Sequence, residues 1–480
     1  MKKNIIYNVI YQVLMLIVPI ITIPYISRKL GAEGIGTYSY TYSIAYYFML
    51  IAMLGLNNYG NRTIAKARDN KEKLSKEFCS IYAMQIIVST IMVIAYVAYV
   101  LLFNNSYKII ALIQSLYVIS SAFDINWFYF GMEKFKLTIT RNAIIKLLSL
   151  ILIFIFVKTP NDVWKYTVIL AGSTLLNNGI LFLFLPKYVK FSKVTKKDVA
   201  KHFKPTIVLF LPVIAVSIYK IMDKIMLGIM STVTEVGYYE NAEKITQASL
   251  TIITALGTVM LPRASNMISN KQDEKLKEIL EKTLSFLMFL SFPISLGLVA
   301  VGRDFALIFF GSEFEKSGYL IQLLATTHIF LSWGNVIRTQ YLIPKERDKE
   351  YIISAFLGAI VNFILNLIFI PKYASIGACI GTIAAEFVVV FYQTWTVRKE
   401  LPILKYLKNV MAFAIKSLVM FIIIVFIGGK IKNDALTRMM IQIILGMLLY
   451  FILNYKYILN ELGTKKYIEK IKEKLKCKHI

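Results

Sequence analysis

The sequence is poor in the residues that hydrolytic and metal-dependent enzymes use. It holds three histidines, and its three cysteines (Cys79, Cys379 and Cys477) form no CxxC pair. Neither an HExxH nor a GxSxG motif occurs, and Gly428-Gly429-Lys430 lacks the spacing and the following Ser or Thr of a phosphate-binding loop. We therefore expect that the chain is not an enzyme and carries no catalytic residue, metal site or cofactor.

Acidic residues and long polar segments are also scarce. Asp and Glu number 28 against 55 Lys and Arg, which gives a net charge of +27, while 57% of the residues are hydrophobic. The basic residues fall between apolar runs instead of forming one patch, which favours anionic membrane lipid over nucleic acid as the partner. No connection between these runs much exceeds about 20 residues, so no soluble domain is expected outside the membrane.

Long apolar runs make up most of the chain. A helix needs about 20 apolar residues to cross the hydrocarbon core of a bilayer. The sequence therefore predicts an all-α membrane protein with fourteen transmembrane helices. They are expected at residues 5–27, 36–57, 79–103, 107–130, 139–157, 164–185, 206–230, 240–262, 283–302, 318–343, 351–370, 376–397, 408–428 and 436–453.

Basic residues alternate between the connections of these helices. The even-numbered connections and the two termini hold about three times as many Lys and Arg as the odd-numbered ones, and basic residues near helix ends resist translocation. Both termini are therefore predicted to be cytoplasmic in a multi-pass protein of the cytoplasmic membrane. The predicted organisation is an N-terminal lobe (1–190), a basic linker (191–205), a C-terminal lobe (206–400), two further helices (401–455) and a basic cytoplasmic tail (456–480).

Charged residues inside the predicted helices indicate where function lies, because an ionisable group at membrane depth needs a partner or water. The densest group is in the seventh helix, where spacings of three and four residues predict one face for Lys220, Asp223 and Lys224. Asp223 can neutralise one lysine but not both. The surplus positive charge would attract a phosphate or pyrophosphate group, whereas a purely structural ion pair is the alternative.

Further charged residues lie in or beside the predicted helices, and those near helix ends could simply snorkel to headgroups. Glu386 and Lys416 lie deeper, where packing alone explains them less easily. The remaining members of this set are Arg28, Lys29, Asp124, Lys146, Arg263 and Arg338.

Two segments of the sequence are similar to each other. Residues 30–38, which hold Gly31, Glu33, Gly36 and Tyr38, resemble residues 227–239, which hold Gly228, Glu235, Gly237 and Tyr239. Helices one to six and seven to twelve are therefore predicted to be repeats, and transporters often bind substrate where such repeats meet.

The chain resembles the Wzx-type polysaccharide flippases of the multidrug/oligosaccharidyl-lipid/polysaccharide exporter superfamily over nearly its whole length. The order and spacing of several short motifs carry this resemblance. They are residues 24–31, 126–134, 223–228 with 236–239, 261–263, 340–344, Asn362 with Asn366, 370–373 and 377–381.

This resemblance implies two six-helix lobes around a central cavity that opens alternately to each side, with two extra C-terminal helices. It implies transport of a polyprenyl-pyrophosphate-linked oligosaccharide to the outer leaflet for surface polysaccharide synthesis, with a coupling cation (H⁺ or Na⁺) and a polymerase and glycosyltransferases as pathway partners. The residues expected to receive the pyrophosphate are Lys220, Lys224, Arg28, Arg263 and Arg338. Those expected to act as counter-ion or coupling-ion site are Asp223, Glu386 and Asp124.

Two other functions fit part of the sequence. An exporter of cationic drugs from the same superfamily needs an acidic or apolar cavity, and Lys220 and Lys224 oppose this. A membrane-bound polysaccharide polymerase is expected to expose larger outer loops than residues 104–106 or 371–375. In the tail, residues 464–478 have apolar residues at helical spacing among lysines, which predicts either a helix on the anionic membrane surface or a solvated basic tail.

Overall fold

A computed structural model of the chain describes residues 2–103, 106–432 and 434–461, and these are helical without any β-strand. The predicted all-α class is therefore confirmed. The amphipathic segment predicted at residues 464–478 lies outside the described residues. The helices are α1 (Lys2–Met53), α2 (Leu56–Ala67), α3 (Lys71–Phe103), α4 (Lys108–Ala122), α5 (Asn126–Gly131), α6 (Phe135–Phe156), α7 (Val163–Gly179), α8 (Lys196–Met230), α9 (Val233–Ser269), α10 (Asp273–Phe309), α11 (Glu315–Ala325), α12 (Thr327–Ile337), α13 (Asp348–Tyr373), α14 (Ser375–Val397), α15 (Ile403–Lys430), α16 (Ala435–Leu453) and α17 (Tyr455–Glu461).

Eleven stretches of the described residues are helical, long and apolar enough to cross a membrane. The distribution of side chains agrees with a lipid environment. On α3, Ile87, Ile91 and Ile94 are exposed whereas Gln85 and Ser89 are buried, which is the reverse of a soluble helix. The chain is therefore a multi-pass membrane protein. The count of fourteen helices and the cytoplasmic location of both termini stay predictions.

The first helix combines two of the predicted membrane runs. α1 extends without a loop from Lys2 to Met53 but bends at Gly31, whose φ of 69° and ψ of 179° are not helical. Glycine tolerates this left-handed φ because it has no Cβ. The second run, predicted to end at residue 57, stops earlier because Leu54 and Gly55 also have positive φ.

The described residues form two compact units. The first holds the chain up to Asn241 together with Ala359–Gly381, and the second holds Ala242–Gly358 together with the chain from Thr382 onward. Packing defines these units, so they do not test the lobe boundaries predicted at residues 190 and 206, which stay a prediction.

The core of the first unit contains an aromatic cluster beside α3. Trp127 is fully buried against Phe78, with ring centroids 5.6 Å apart, and its indole N–H donates to Gln85 Oε1 at 3.0 Å. The Gln85 amide in turn donates to the Ser121 carbonyl at 2.6 Å, so a polar side chain links three helices inside an apolar core. Such links satisfy polar groups that lipid cannot satisfy.

The second unit is built on α10, which packs against α11, α15 and α16. Phe289 stacks with Tyr450 at a centroid separation of 5.3 Å, and the Tyr450 hydroxyl donates to the Phe289 carbonyl at 2.9 Å. On the same helix, the Ser295 hydroxyl donates to the Ala325 carbonyl at 2.8 Å. The Tyr450 contacts hold α16, one of the two predicted extra helices, against α10, and the Ser295 bond joins α10 to α11.

Candidate functional site

The Asp223 carboxylate is the centre of a buried polar network within the first unit. Its side chain leaves α8 and is 1% exposed. The Tyr239 hydroxyl of α9 donates to Asp223 Oδ2 at 2.8 Å, and Asn366 Nδ2 of α13 donates to Oδ1 at 2.6 Å. The same amide nitrogen lies 3.1 Å from Asn362 Oδ1, one helical turn away. Three helices thus converge on one carboxylate.

Lys224 has a carboxylate partner that the sequence analysis missed. Its ammonium lies 2.7 Å from Glu240 Oε2 on α9, and both side chains are less than one-sixth exposed. The Ser39 hydroxyl of α1 donates to the same Glu240 oxygen at 2.7 Å. The pair is desolvated, and therefore each charge depends on the other.

Lys220 lies one turn before Lys224 but in a different environment. Its side chain is exposed, and it has no ion pair or hydrogen bond to another described residue. The three charged residues of α8 were predicted to share one face. Within the helix α8 the three residues differ in burial: Asp223 is buried, Lys224 is less than one-sixth exposed beside Glu240, and Lys220 is exposed. Lys220 is therefore the lysine of this segment that has no carboxylate within 4.0 Å among the described residues.

The other three predicted pyrophosphate residues are not on α8. Arg28 is exposed on α1, three residues before the bend at Gly31, in the first unit. Arg263 is exposed on α9, and Arg338 begins a π-helical turn (Arg338–Leu342), both in the second unit. The Arg338 guanidinium lies 5.8 Å from the centroid of the Tyr351 ring. Within the first unit, the structure brings Lys220 and Lys224 together on one helix.

The remaining predicted acidic residues also separate. Asp124 Oδ1 accepts hydrogen bonds from the backbone N–H of Asn126 at 3.1 Å and from its side-chain amide at 2.6 Å. Asn126 Oδ1 accepts from the Arg141 guanidinium at 3.0 Å, so Asp124 belongs to a local cluster with a cation nearby. Glu386 is 7% exposed on α14 in the second unit. Neither shares the Asp223 network among the contacts described.

A neutral histidine fixes the N-terminal part of α8 to its neighbouring helices. His202 is fully buried, with Nδ1 2.7 Å from the Tyr59 hydroxyl and Nε2 2.9 Å from the Ser80 hydroxyl. Burial, with a smaller contribution from the Lys201 charge, lowers the pKa of His202 to about 4. The imidazole is therefore uncharged at neutral pH and fixes α8 to α2 and α3 through hydrogen bonds alone.

Comparison with known proteins gives a consistent result. Residues 1–268 match the sequence model of a family described as polysaccharide biosynthesis protein. A putative O-antigen transporter of Shigella dysenteriae is 26% identical over 403 residues, which are 83% of this chain and 100% of that protein. A putative O-antigen transporter of Escherichia coli strain K12 is 24% identical over 406 residues, 83% of this chain and 97% of that protein.

A solved structure shares the fold. The lipid II flippase MurJ in an inward closed conformation superimposes with a TM-score of 0.77 at 18% identity, covering 95% of this chain and 100% of the MurJ chain. At this identity the likeness establishes the fold alone. The chain therefore shares the helix arrangement of that structure.

Proposed function

Because the chain belongs to the polysaccharide biosynthesis protein family, we propose that it is a flippase for a polyprenyl-pyrophosphate-linked oligosaccharide. It moves the sugar and pyrophosphate from the cytoplasmic to the outer leaflet by alternating access. The translocated oligosaccharide is then available for the synthesis of a surface polysaccharide. The relatives named above are transporters, and this chain likewise acts by transport, not by enzymatic catalysis.

The charge arrangement of α8 carries this proposal. Lys224 is matched by Glu240 at 2.7 Å, whereas Lys220 is exposed and unmatched among the described residues. An unmatched lysine at membrane depth is stable only beside water, headgroups or an anion. A pyrophosphate supplies such an anion, whereas a cationic drug would be repelled. This favours the flippase over the drug exporter.

The Asp223 network suits a coupling cation. It gathers a carboxylate, the Tyr239 hydroxyl and two asparagine carbonyls, and Asn366 Oδ1 accepts no hydrogen bond from the described residues. Oxygen ligands of this kind bind hard cations, and the carboxylate alternatively takes up a proton. Asp223 is therefore the proposed coupling site for Na⁺ or H⁺. Asp124 is better explained by its cluster with Asn126 and Arg141.

An apolar groove in the second unit suits the polyprenyl tail. It has a volume of about 430 Å³ and lies between α10, α15 and α16. Its walls include Pro293 and Gly297 of α10, Met420 of α15 and Gly446 of α16, so almost all of its surface is hydrocarbon. Occupation by the tail would explain why two helices follow the predicted twelve-helix core.

Transport by the purified protein tests the proposal. The full chain is reconstituted into proteoliposomes with a fluorescent polyprenyl-pyrophosphate oligosaccharide, and exposure of the label on the opposite side is followed with a membrane-impermeant quencher. Protein-dependent translocation is expected. Transport of a cationic dye with no movement of the lipid-linked sugar would instead favour the drug exporter.

A further inference from the structure

A second groove opens on the surface of the second unit. It has a volume of about 880 Å³, within the range of about 300–1,000 Å³ that ligand cavities occupy. α12 contributes Phe330 and Trp333, and α14 contributes Phe387, Phe391 and Trp395. The three α14 aromatic side chains are each at least half exposed, so the groove is open to the membrane along its length.

The aromatic side chains of α14 form a continuous row. Phe387, Phe391 and Trp395 recur every four residues, and neighbouring rings stack with centroid distances of 5.9 and 6.0 Å. From Phe387 to Trp395 the helix rises by about 12 Å at 1.5 Å per residue. One leaflet contributes about 15 Å of hydrocarbon, half of a bilayer core. The row therefore covers most of the depth of one leaflet, and Arg398 follows three residues after its last ring.

A fixed cation stands at that end of the row. The Arg398 guanidinium lies 3.7 Å from the centroid of the Trp395 ring, and it donates to the Trp395 carbonyl at 2.6 Å. Within the described chain no carboxylate lies within 4.0 Å of Arg398. Lys405, the other basic residue of the groove, is paired with Glu281 at 2.8 Å. At this end of the groove, which we call its mouth, Arg398 is therefore the basic residue without a carboxylate partner among the described residues.

The segment that carries Arg398 is anchored to the protein on both sides. Glu400 accepts from the Arg347 guanidinium at 2.6 Å and from the Tyr341 hydroxyl at 2.6 Å. Leu401 is buried, and Lys405 is held by Glu281. A mouth fixed in this way keeps the guanidinium in place before any ligand arrives, which lowers the entropic cost of binding.

We propose that this groove binds an anionic phospholipid of the bilayer, with an acyl chain along the Phe387–Trp395 row and the phosphate on Arg398. The acyl chain of the lipid would pack against the stacked aromatic rings. Its phosphate would bind the Arg398 guanidinium, which has no carboxylate partner among the described residues. The tail of this chain at residues 464–478 fits less well, because its lysines would be repelled by Arg398. The site acts independently of the proposed transport of sugar.

Lipid binding by the full-length protein tests this directly. Delipidated protein is titrated with phosphatidylglycerol and, separately, with phosphatidylcholine of the same acyl chains, and bound lipid is counted by native mass spectrometry. The unaltered protein is expected to prefer phosphatidylglycerol. Arg398→Ala should weaken phosphatidylglycerol binding about tenfold and remove the preference, because one charge-assisted hydrogen bond is lost.

The adjacent Lys399 is the matched control, since it is exposed and does not line the groove. Lys399→Ala should keep the preference, whereas Phe391→Ala should weaken both lipids alike. Equal binding of the two lipids to the unaltered protein, or equal effects of Arg398→Ala and Lys399→Ala, would overturn the proposal. The proposal would also be overturned if polyprenyl phosphate displaced phosphatidylglycerol when present at a lower concentration than the phospholipid, or if a peptide of residues 464–478 displaced it. Either result would show that another ligand occupies the groove.

Discussion

Gly36 of α1 and Gly237 of α9 pack against each other's helices in a reciprocal contact. A Cβ atom added to Gly36 would lie 1.6 Å from the Val233 carbonyl oxygen, and one added to Gly237 would lie 1.9 Å from the Ala32 carbonyl oxygen. In each helix the two contacting residues are four apart, so one turn of α1 fits against one turn of α9. These turns belong to the two similar segments, 30–38 and 227–239, from which the sequence predicts a repeat.

Alanine at either glycine should destabilise the first unit. The obstructing atoms are backbone carbonyls, which cannot rotate away, and overpacking of this kind costs about 1–3 kcal/mol or more. We expect Gly36→Ala and Gly237→Ala to lower the thermal midpoint of the purified protein in detergent. Gly172 of α7 has no atom within 4 Å of an added Cβ and is the control. Gly172→Ala should be neutral or slightly stabilising, and an equal loss in all three variants would refute the contact.

Acidification should weaken the attachment of α8 through His202. The pKa of this residue is about 4 in the folded protein, below its ordinary value of 6.5. Between pH 4 and pH 6.5 the unfolded chain therefore binds more protons at this residue than the folded protein does. Stability is therefore retained above pH 6.5 and falls as the pH drops from 6.5 towards 4. One pKa unit corresponds to about 1.4 kcal/mol, so the loss amounts to a few kcal/mol at most.

Substitution of His202 tests this pH dependence. His202→Gln keeps an amide that can bond to Tyr59 or Ser80 but cannot titrate. Unfolding midpoints measured from pH 7 to pH 4.5 should fall for the unaltered protein and fall less for the variant. Glu77, whose carboxylate lies 3.6 Å from the imidazole, is present in both proteins, so its contribution to the pH dependence is common to both. Parallel curves would contradict the role of His202.

Neutralising Asp223 should uncouple transport from its driving ion. Asp223→Asn removes the charge but keeps a side chain of the same shape between Tyr239 and Asn366. We expect a folded protein whose transport in proteoliposomes no longer responds to an imposed Na⁺ or H⁺ gradient. Asp124→Asn is the comparison, because Asp124 bonds to Asn126 instead. If Asp124→Asn abolishes the response and Asp223→Asn preserves it, the coupling site is elsewhere.

The sequence predicts the membrane helices well because bilayer thickness sets their length. It does not reveal the bend at Gly31, because a kinked helix and two separate helices have the same apolar runs. In the sequence Glu240 begins a predicted apolar run, and its pairing with Lys224 depends on how α9 folds back along α8. A carboxylate at the edge of an apolar run, 16 positions after Lys224, is the signal that could have found it.

The charge at Lys220 is the central element of the proposed mechanism. Lys224 is a less direct test, because its removal takes away the cation that lies 2.7 Å from the Glu240 carboxylate and so also affects folding. Lys220 has no such partner among the described residues, and its loss should affect the ligand alone. Lys416 serves as the control, because it is also a lysine within an apolar helix, α15. Its ammonium lies 3.2 Å from Asn454 Oδ1.

The rate of translocation of a fluorescent polyprenyl-pyrophosphate oligosaccharide by Lys220→Ala in proteoliposomes is therefore the most direct measurement. We predict at least about a tenfold loss relative to the unaltered protein, the equivalent of one charge-assisted contact. Lys220→Arg should recover part of the rate, and Lys416→Ala should keep nearly all of it. Full activity of Lys220→Ala at equal protein in the membrane would contradict the account.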